Sequence, residues 1–241
     1  MYLSVIIPAY NEEKNIEGTL AEIEAYLAGK DLASEVILID DGSINWTVVK
    51  AREFEERIRD FRIIESKPNH GKGYVVRRAM LEAQGEYSLF MDADNSTSIK
   101  ELENFLPAIS DKFDIYIASR RISGSKVKVP IMRRALGNVY IFVARILLGI
   151  GISDINCGFK IYSKKSVQDI FTKQLMNDWS FDAENLFVAK KYGYKIKEIP
   201  VEWKHKYTSK VRPFSDGIKS FTSLVKIRTN DLLGKYRINR G

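Results

Sequence analysis

The chain of 241 residues holds one cysteine, Cys157, and two histidines, His70 and His205. A single thiol excludes an intrachain disulfide and a cysteine-rich zinc site. The two histidines lack the short spacing of a ligand pair, so neither reads as a metal ligand or a catalytic group. Long uncharged apolar runs are missing as well. The longest apolar stretch, Ala135–Ile152, is interrupted by Asn138 and Arg145, too short and too polar for a comfortable membrane span. No basic stretch followed by an apolar one precedes the strand-like run Leu3–Pro8, so no signal peptide is expected. Low-complexity segments and internal repeats are absent.

What is present describes a soluble globular protein. Hydrophobic residues make up 45% of the chain and charged residues 29%, enough for a core of one large α/β domain. The formal net charge is +7. That excess favours an anionic partner: nucleic acid, a nucleotide or an acidic membrane surface. The sum alone does not separate the three.

The apolar periodicity alternates. Leu3–Ile7, Glu35–Ile39, Phe61–Glu65, Tyr87–Met91 and Asp114–Ala118 read as strands. Between them, Asn11–Lys30, Thr47–Arg59 and Gly71–Gln84 carry apolar residues at helical spacing. Alternation of this kind implies a parallel sheet covered by helices on both faces. The second half continues with helices over Met132–Ile150, Asp182–Tyr192 and Phe214–Leu233 and strands over Asn156–Tyr162 and Lys195–Trp203. No linker divides the chain. One domain, 1–241, is expected, with a nucleotide half, 1–118, and an acceptor half, 119–241, that ends in an amphipathic helix.

Ligands of such sheets bind outside the carboxyl ends of the strands. Three acidic loops occupy those ends: Ala9–Glu13, Asp40–Ser43 and Asp92–Ser96. In the last, a strand delivers Asp92 and Asp94 one residue apart. Two carboxylates that close repel unless a cation sits between them. A hard divalent ion sharing phosphate oxygens answers that need; a solvated turn is the plainer alternative. Lys72, flanked by glycines at a helix start, suits a diphosphate, although the spacing is not that of a P-loop.

Pro8-Ala9-Tyr10-Asn11-Glu12, Ile39-Asp40-Asp41-Gly42-Ser43, Asn69-His70-Gly71-Lys72-Gly73 and Asp92-Ala93-Asp94 follow in this order. Together they resemble the inverting family 2 glycosyltransferases of GT-A fold. Ala118-Ser119-Arg120, Asp154-Ile155-Asn156-Cys157-Gly158-Phe159-Lys160, Phe181-Asp182-Ala183-Glu184 and Ile199-Pro200-Val201-Glu202-Trp203 narrow the likeness to the polyprenyl-phosphate sugar synthases. Ser209-Lys210-Val211 before Pro213-Phe214 is most similar to the dolichyl-phosphate glucosyltransferase branch, with the dolichyl-phosphate mannose synthases as near relatives. Asn45, Ser96 and Lys204 depart from residues common in these enzymes: an Asp, a metal-supporting Gln and an Arg.

The resemblance implies a Rossmann-like, mostly parallel sheet and transfer of a hexose from UDP-glucose or GDP-mannose to dolichyl or another polyprenyl phosphate. It implies Mg²⁺ or Mn²⁺ on Asp92 and Asp94. By match, Pro8, Tyr10, Glu12, Leu38 and Asp40 would hold the nucleoside. Lys72, Asp92, Ala93, Lys204 and Lys210 would serve the diphosphate and sugar. Arg120, with Arg133 or Arg134, would hold the acceptor phosphate, and Asp94, Arg120 and Asp154 would be the catalytic set. A phosphate monoester is dianionic near neutral pH and needs cations more than a general base. Asp182 is left without an assigned role. A lipid acceptor implies peripheral attachment at the cytoplasmic face of a membrane, through Met132–Ile150 and Phe214–Leu233. A membrane partner protein or a second copy of the chain remains open. Transfer to a glycan or protein hydroxyl is the competing activity. A nucleic-acid-binding module is the competing class, disfavoured because no aromatic-interleaved basic motif is present.

Overall fold

The apolar N-terminal run forms β1 (Leu3–Ala9), and the helical periodicity after it becomes α1 (Ile16–Ala28). A computed structural model describes residues 3–127, 131–204 and 213–237, with no side chains described at 131–133 and 213–218. The chain continues through β2 (Ser34–Asp40), α2 (Thr47–Arg52), β3 (Phe61–Glu65), α3 (Lys72–Glu82) and β4 (Tyr87–Met91). Short helical turns, including α4 (Leu102–Phe105), lead to β5 (Ile115–Ser119) and β6 (Lys126–Val127). Then follow α5 (Ile131–Leu148), β7 (Phe159–Ser163), α6 (Lys164–Phe171), α7 (Phe181–Lys191), β8 (Ile196–Pro200), β9 (Glu202–Trp203) and α8 (Pro213–Leu232).

The sheet order is β3-β2-β1-β4-β7-β5-β8, and β6 pairs with β9 apart from it. Every pairing in the large sheet is parallel except those of β7, which runs antiparallel to β4 and β5. That reversal matters for function. It brings Asp154–Gly158, which precede β7, to the edge where β4 and β5 end.

Strand alternation sorts the apolar side chains to two faces. Ile6, Ile37, Ile39 and Phe90 pack with α3, α5, α6, α7 and α8. Val5, Ile7, Val36, Leu38, Leu89 and Met91 pack with α1 and α4. Both cores draw on both halves of the chain. Each fully buried aliphatic side chain contributes about 1.5–3 kcal/mol, so the edge loops rest on a stiff floor.

Several boundaries differ from the sequence expectation. The first helix begins at Ile16 because Asn11 takes a positive φ of 54° and Asn11–Asn15 is loop. The second stops at Arg52 and continues as tight turns with Phe54 N on Ala51 O and Arg57 N on Phe54 O; Phe54 and Ile58 stay buried all the same. The strand expected over Lys195–Trp203 breaks at Val201 into β8 and β9. Helix α6 has no counterpart in the sequence reading; Ser163 caps it, accepting from Ser166 N.

Candidate functional site

The end of the sheet edge expected to hold a nucleoside is built from loops that tie to each other. Asn11 N donates to Ser43 Oγ at 2.8 Å, Glu12 N to Thr47 Oγ1 at 2.7 Å, and Ile44 N to Asn11 Oδ1 at 3.0 Å. Tyr10 stands partly exposed at the rim. Glu12 accepts from Asn15 Nδ2 at 2.7 Å. Asp40 is fully buried; its Oδ2 accepts from Gly42 N and Ser43 N, while its Oδ1 has no partner among the described residues. A buried acceptor left unspent is unusual, and it suits a base or ribose donor. Pro8 and Ala93 are buried beside this edge. Leu38 is not a wall of the site: it is fully buried in the core. It lies two residues inside β2 from Asp40, covered by the core, so it supports the floor and offers no surface to a ligand.

Asp41 organises the next loop. It accepts from His70 N at 2.8 Å, Gly71 N at 2.9 Å and Asn69 Nδ2 at 2.8 Å. Burial pushes its carboxyl up, and these bonds work against that rise. Gly71 holds φ at 101°, a conformation open to glycine, and α3 then starts at Lys72. The ammonium of Lys72 is mostly buried and reaches Asp92 Oδ1 at 2.5 Å. Burial alone would lower its pKa; Asp92, Asp182 and Asp94 outweigh that and push it up.

Asp92 and Asp94 follow β4. Gly158 O accepts from Asp92 N at 3.0 Å, and a Cβ at Gly158 would collide with the Asp92 carboxylate. Asp94 Oδ1 accepts from Ser96 N at 2.9 Å. Burial, then the neighbouring Asp92, push the Asp94 carboxyl up. The crowding is unfinished in electrostatic terms, and a divalent cation fits it. Among the described residues no group of three or more His, Cys, Asp or Glu encloses an ion. Asp92 and Asp94 are the two carboxylates that would hold one, and its other positions would fall to phosphate or water.

Arg120 follows β5 and is bound to Asp154, not free. Its Nε and Nη2 reach Asp154 at 2.7 and 2.8 Å, and its backbone N adds 2.9 Å. Burial alone would raise the Asp154 carboxyl; Arg120 outweighs it and holds the group below the usual carboxylate range. Beneath this pair, Lys160 is fully buried and bonds Asp182 and Cys157 O. Burial pushes the Asp182 carboxyl up, with Lys160 and Lys72 opposing. Asp182 thus joins the site through Lys160, a contact that only the reversed β7 creates.

Arg121 was not singled out by sequence. Burial lowers its pKa; Asp154 opposes the fall, and Arg120 and Arg134 add to it. It bonds the Asn138 side chain and borders a cavity of about 280 Å³ lined by Arg121, Asn138, Ile141, Phe142, Arg145 and Ser153. Its neighbour Arg134 is exposed on α5. Lys204 N donates to Ser96 O at 2.9 Å, which brings β9 against the Asp94 loop, while its side chain pairs with Glu202 at 3.5 Å. Lys210 and His205 lie outside the described residues, as does the side chain of Arg133.

A mostly parallel sheet with paired aspartates at the end of its central β4, nucleoside loops on one side and arginines on the other, defines a GT-A glycosyltransferase. Residues 4–171 match Glycosyl transferase family 2, and the chain belongs to that family. It is 34% identical to a dolichyl-phosphate beta-glucosyltransferase of Dictyostelium discoideum over 99% of this chain and 77% of the relative. The Saccharomyces cerevisiae protein of the same name is 33% identical over 100% and 78%. Among solved structures, mannosyl-3-phosphoglycerate synthase from Rubrobacter xylanophilus superposes with a TM-score of 0.71 at 16% identity, covering 100% of this chain and 76% of that one. Glucosyl-3-phosphoglycerate synthase from Mycobacterium tuberculosis, bound to Mn²⁺, UDP and glucosyl-3-phosphoglycerate, gives 0.69 at 17% identity, over 99% and 81%. At that identity the two structures speak for the fold alone.

Proposed function

We propose that this enzyme transfers glucose from UDP-glucose to dolichyl phosphate. One observation carries the acceptor class. The carboxylate nearest the acceptor arginine, Asp154, is held ionised by a bidentate Arg120. A carboxylate so stabilised is a weak base, which favours a nucleophile that arrives already charged. A phosphate monoester oxygen does; a sugar or protein hydroxyl does not. Asp154 on this reading positions Arg120 and takes no proton.

The phosphate oxygen attacks C1 of glucose from the face opposite UDP. The C1–O bond to UDP breaks, and dolichyl phosphate β-glucoside and UDP leave. Asp40, Tyr10 and Glu12 hold the nucleoside, and Lys72 steadies the diphosphate. Mg²⁺ or Mn²⁺ on Asp92 and Asp94 would supply positive charge for the leaving diphosphate. Arg120, Arg121 and Arg134 hold the acceptor phosphate against the donor. UDP-glucose is preferred to GDP-mannose because the similar curated proteins carry the glucosyltransferase name.

The lipid tail requires a membrane. No helix among the described residues is long and apolar enough to cross one. Helix α5 presents Leu136, Val139, Phe142 and Ile146 outward, beside exposed Arg134 and Arg145, and α8 adds Val225 and Leu232. Its other side, with Tyr140, Ala144 and Leu148, packs on the core. We read the outward stripe as an interfacial surface, at the cytoplasmic face, with which the unpaired Cys157 is compatible.

The test supplies radiolabelled UDP-glucose or GDP-mannose with dolichyl phosphate and extracts the lipid. Label in the organic phase from UDP-glucose is expected. Label from GDP-mannose alone would change the donor, and lipid label from neither would overturn the proposal.

A further inference from the structure

The loop between α6 and α7, residues 172–180, is tied down by buried polar groups. Gln174 Nε2 donates to Gly73 O at 2.8 Å and Met176 O at 2.9 Å, and its Oε1 accepts from Asn185 at 3.0 Å. Glu184, fully buried, accepts from Leu175 N, from Met176 N and from the Tyr236 hydroxyl. The loop backbone then lies on the start of α3. Tyr74 N donates to Asn177 O at 3.3 Å. A Cβ at Gly73 would meet Met176 O at 2.6 Å and Asp178 O at 2.9 Å. Burying Gln174, Glu184 and Asn185 has a desolvation cost that these hydrogen bonds offset in part, Asn185 Oδ1 being left without a partner among the described residues.

What this apparatus displays is Trp179, 59% exposed. Lys72 Nζ sits 4.4 Å from the centre of its ring, and the same ammonium bonds Asp92. A large indole left open costs hydrophobic stabilisation, yet it is fixed at the mouth of the site. The loop lies beyond residue 171, where the family match ends.

We infer that Trp179 is the platform on which the transferred hexose stacks, an inference that rests on the donor reading above. Along the sheet edge the nucleoside groups end β1 and β2, and Asp92 ends β4. Trp179 is three residues before Asp182, which bonds Lys160 of β7. Lys72 joins its ring to Asp92, so the indole stands beside the carboxylates that would take the diphosphate, within reach of the sugar that hangs from it. A pyranose has a face of C–H bonds, and an indole face carries the negative side of its quadrupole. Lys72 occupies one face of the ring and the exposed remainder is open to the sugar.

The experiment compares UDP and UDP-glucose binding by calorimetry, with divalent ion, in the wild type, Trp179→Ala and Trp179→Phe. Trp179→Ala should weaken UDP-glucose about tenfold, the size of one aromatic contact, and leave UDP unchanged. Trp179→Phe should recover most of the loss. In the wild type, hydroxyl-radical oxidation of Trp179, read by mass spectrometry, should be blocked by UDP-glucose and not by UDP, with exposed Phe142 on α5 as the reference. Equal weakening of both ligands would make the loop a support for Lys72 and overturn the inference. Unchanged affinities with a raised KM for dolichyl phosphate would move the indole to the lipid and overturn it too. A wild type that binds neither UDP nor UDP-glucose would sink the donor reading itself.

Discussion

On the nucleotide side of the sheet edge, Asp40, Asp41, Asp92 and Asp94 crowd the ends of β2 and β4, with Lys72 reaching in among them. On the acceptor side, Arg120, Arg121, Arg134 and Arg145 gather where β5 ends and α5 passes, with Asp154 answering Arg120. The two regions are also fastened differently. The acidic side is held mainly by backbone amides: Asp40, Asp41 and Asp94 each accept from nearby N–H groups. The basic side is held by buried ion pairs, Arg120 with Asp154 and Lys160 with Asp182. Amide-held carboxylates keep their charge in place, with Lys72 on Asp92 as the one ammonium described among them. Arginines with one partner keep positive charge in surplus. On the reading proposed above, the acidic side takes the divalent ion with the donor diphosphate and the basic side takes the acceptor phosphate.

The largest expected effect removes the cation requirement of the acidic side. Asp94→Ala should lower turnover by several orders of magnitude while the protein stays folded, and chelator should silence the wild type until Mg²⁺ or Mn²⁺ is restored. Full activity in excess chelator would break the contrast at its first term. On the basic side, Lys160→Met strands Asp182 without its partner and should cost about 3–5 kcal/mol in urea unfolding. The double variant Lys160→Met/Asp182→Leu should recover much of that loss. If the single variant melts like the wild type, ion pairing is not what fastens this region.

Arg120→Ala should cut lipid transfer about a hundredfold, on the scale of a lost charged hydrogen bond, and spare UDP-glucose affinity. Equal loss of donor affinity would place Arg120 on the wrong substrate. Its partner predicts a pH effect. Asp154 is depressed in the folded protein, so its contribution is full above the unfolded value of about 3.9. That contribution fades as pH falls toward and through the lower folded value. Melting curves from neutral to strongly acidic pH should show a loss that Asp154→Asn lacks. The smallest effect concerns the membrane. The wild type should sediment with anionic liposomes, and Phe142→Ser/Ile146→Ser should lose the salt-resistant part, a few-fold change since each side chain inserts only partly. Ile146 serves this test and Leu147 does not, because Leu147 packs inward. Indifference of the wild type to liposomes at low salt would favour attachment through a partner protein.

Much of the acidic side was legible in advance. Its carboxylates sit in loops that directly follow apolar strands, so strand periodicity alone places Asp40, Asp92 and Asp94 at one edge. Arg120 follows the same logic after β5. Leu38 failed that logic because it lies two residues short of the end of β2, where the core covers it. Asp182 could not be placed, since it lies on α7 and its partner Lys160 inside β7, and neither is at a strand's carboxyl end. Arg121 and Trp179 carried no periodic signal. One is legible only beside Asn138 on α5, the other only through the buried polar groups beneath its loop.

By itself the sequence determined the alternation of strands and helices, the acidic loops after β1, β2 and β4, and the family. These are local properties, carried by apolar spacing and by turn residues next to the strands they end. Tertiary structure alone decided that β7 runs backwards between β4 and β5. It thereby decided that Asp154 meets Arg120 and that Lys160 meets Asp182. It also decided which side of α5 faces outward, and that an indole far along the chain stands beside Lys72. The reason is physical: register, burial and pairing depend on what packs against a residue, and an isolated strand or loop holds no record of its distant neighbours.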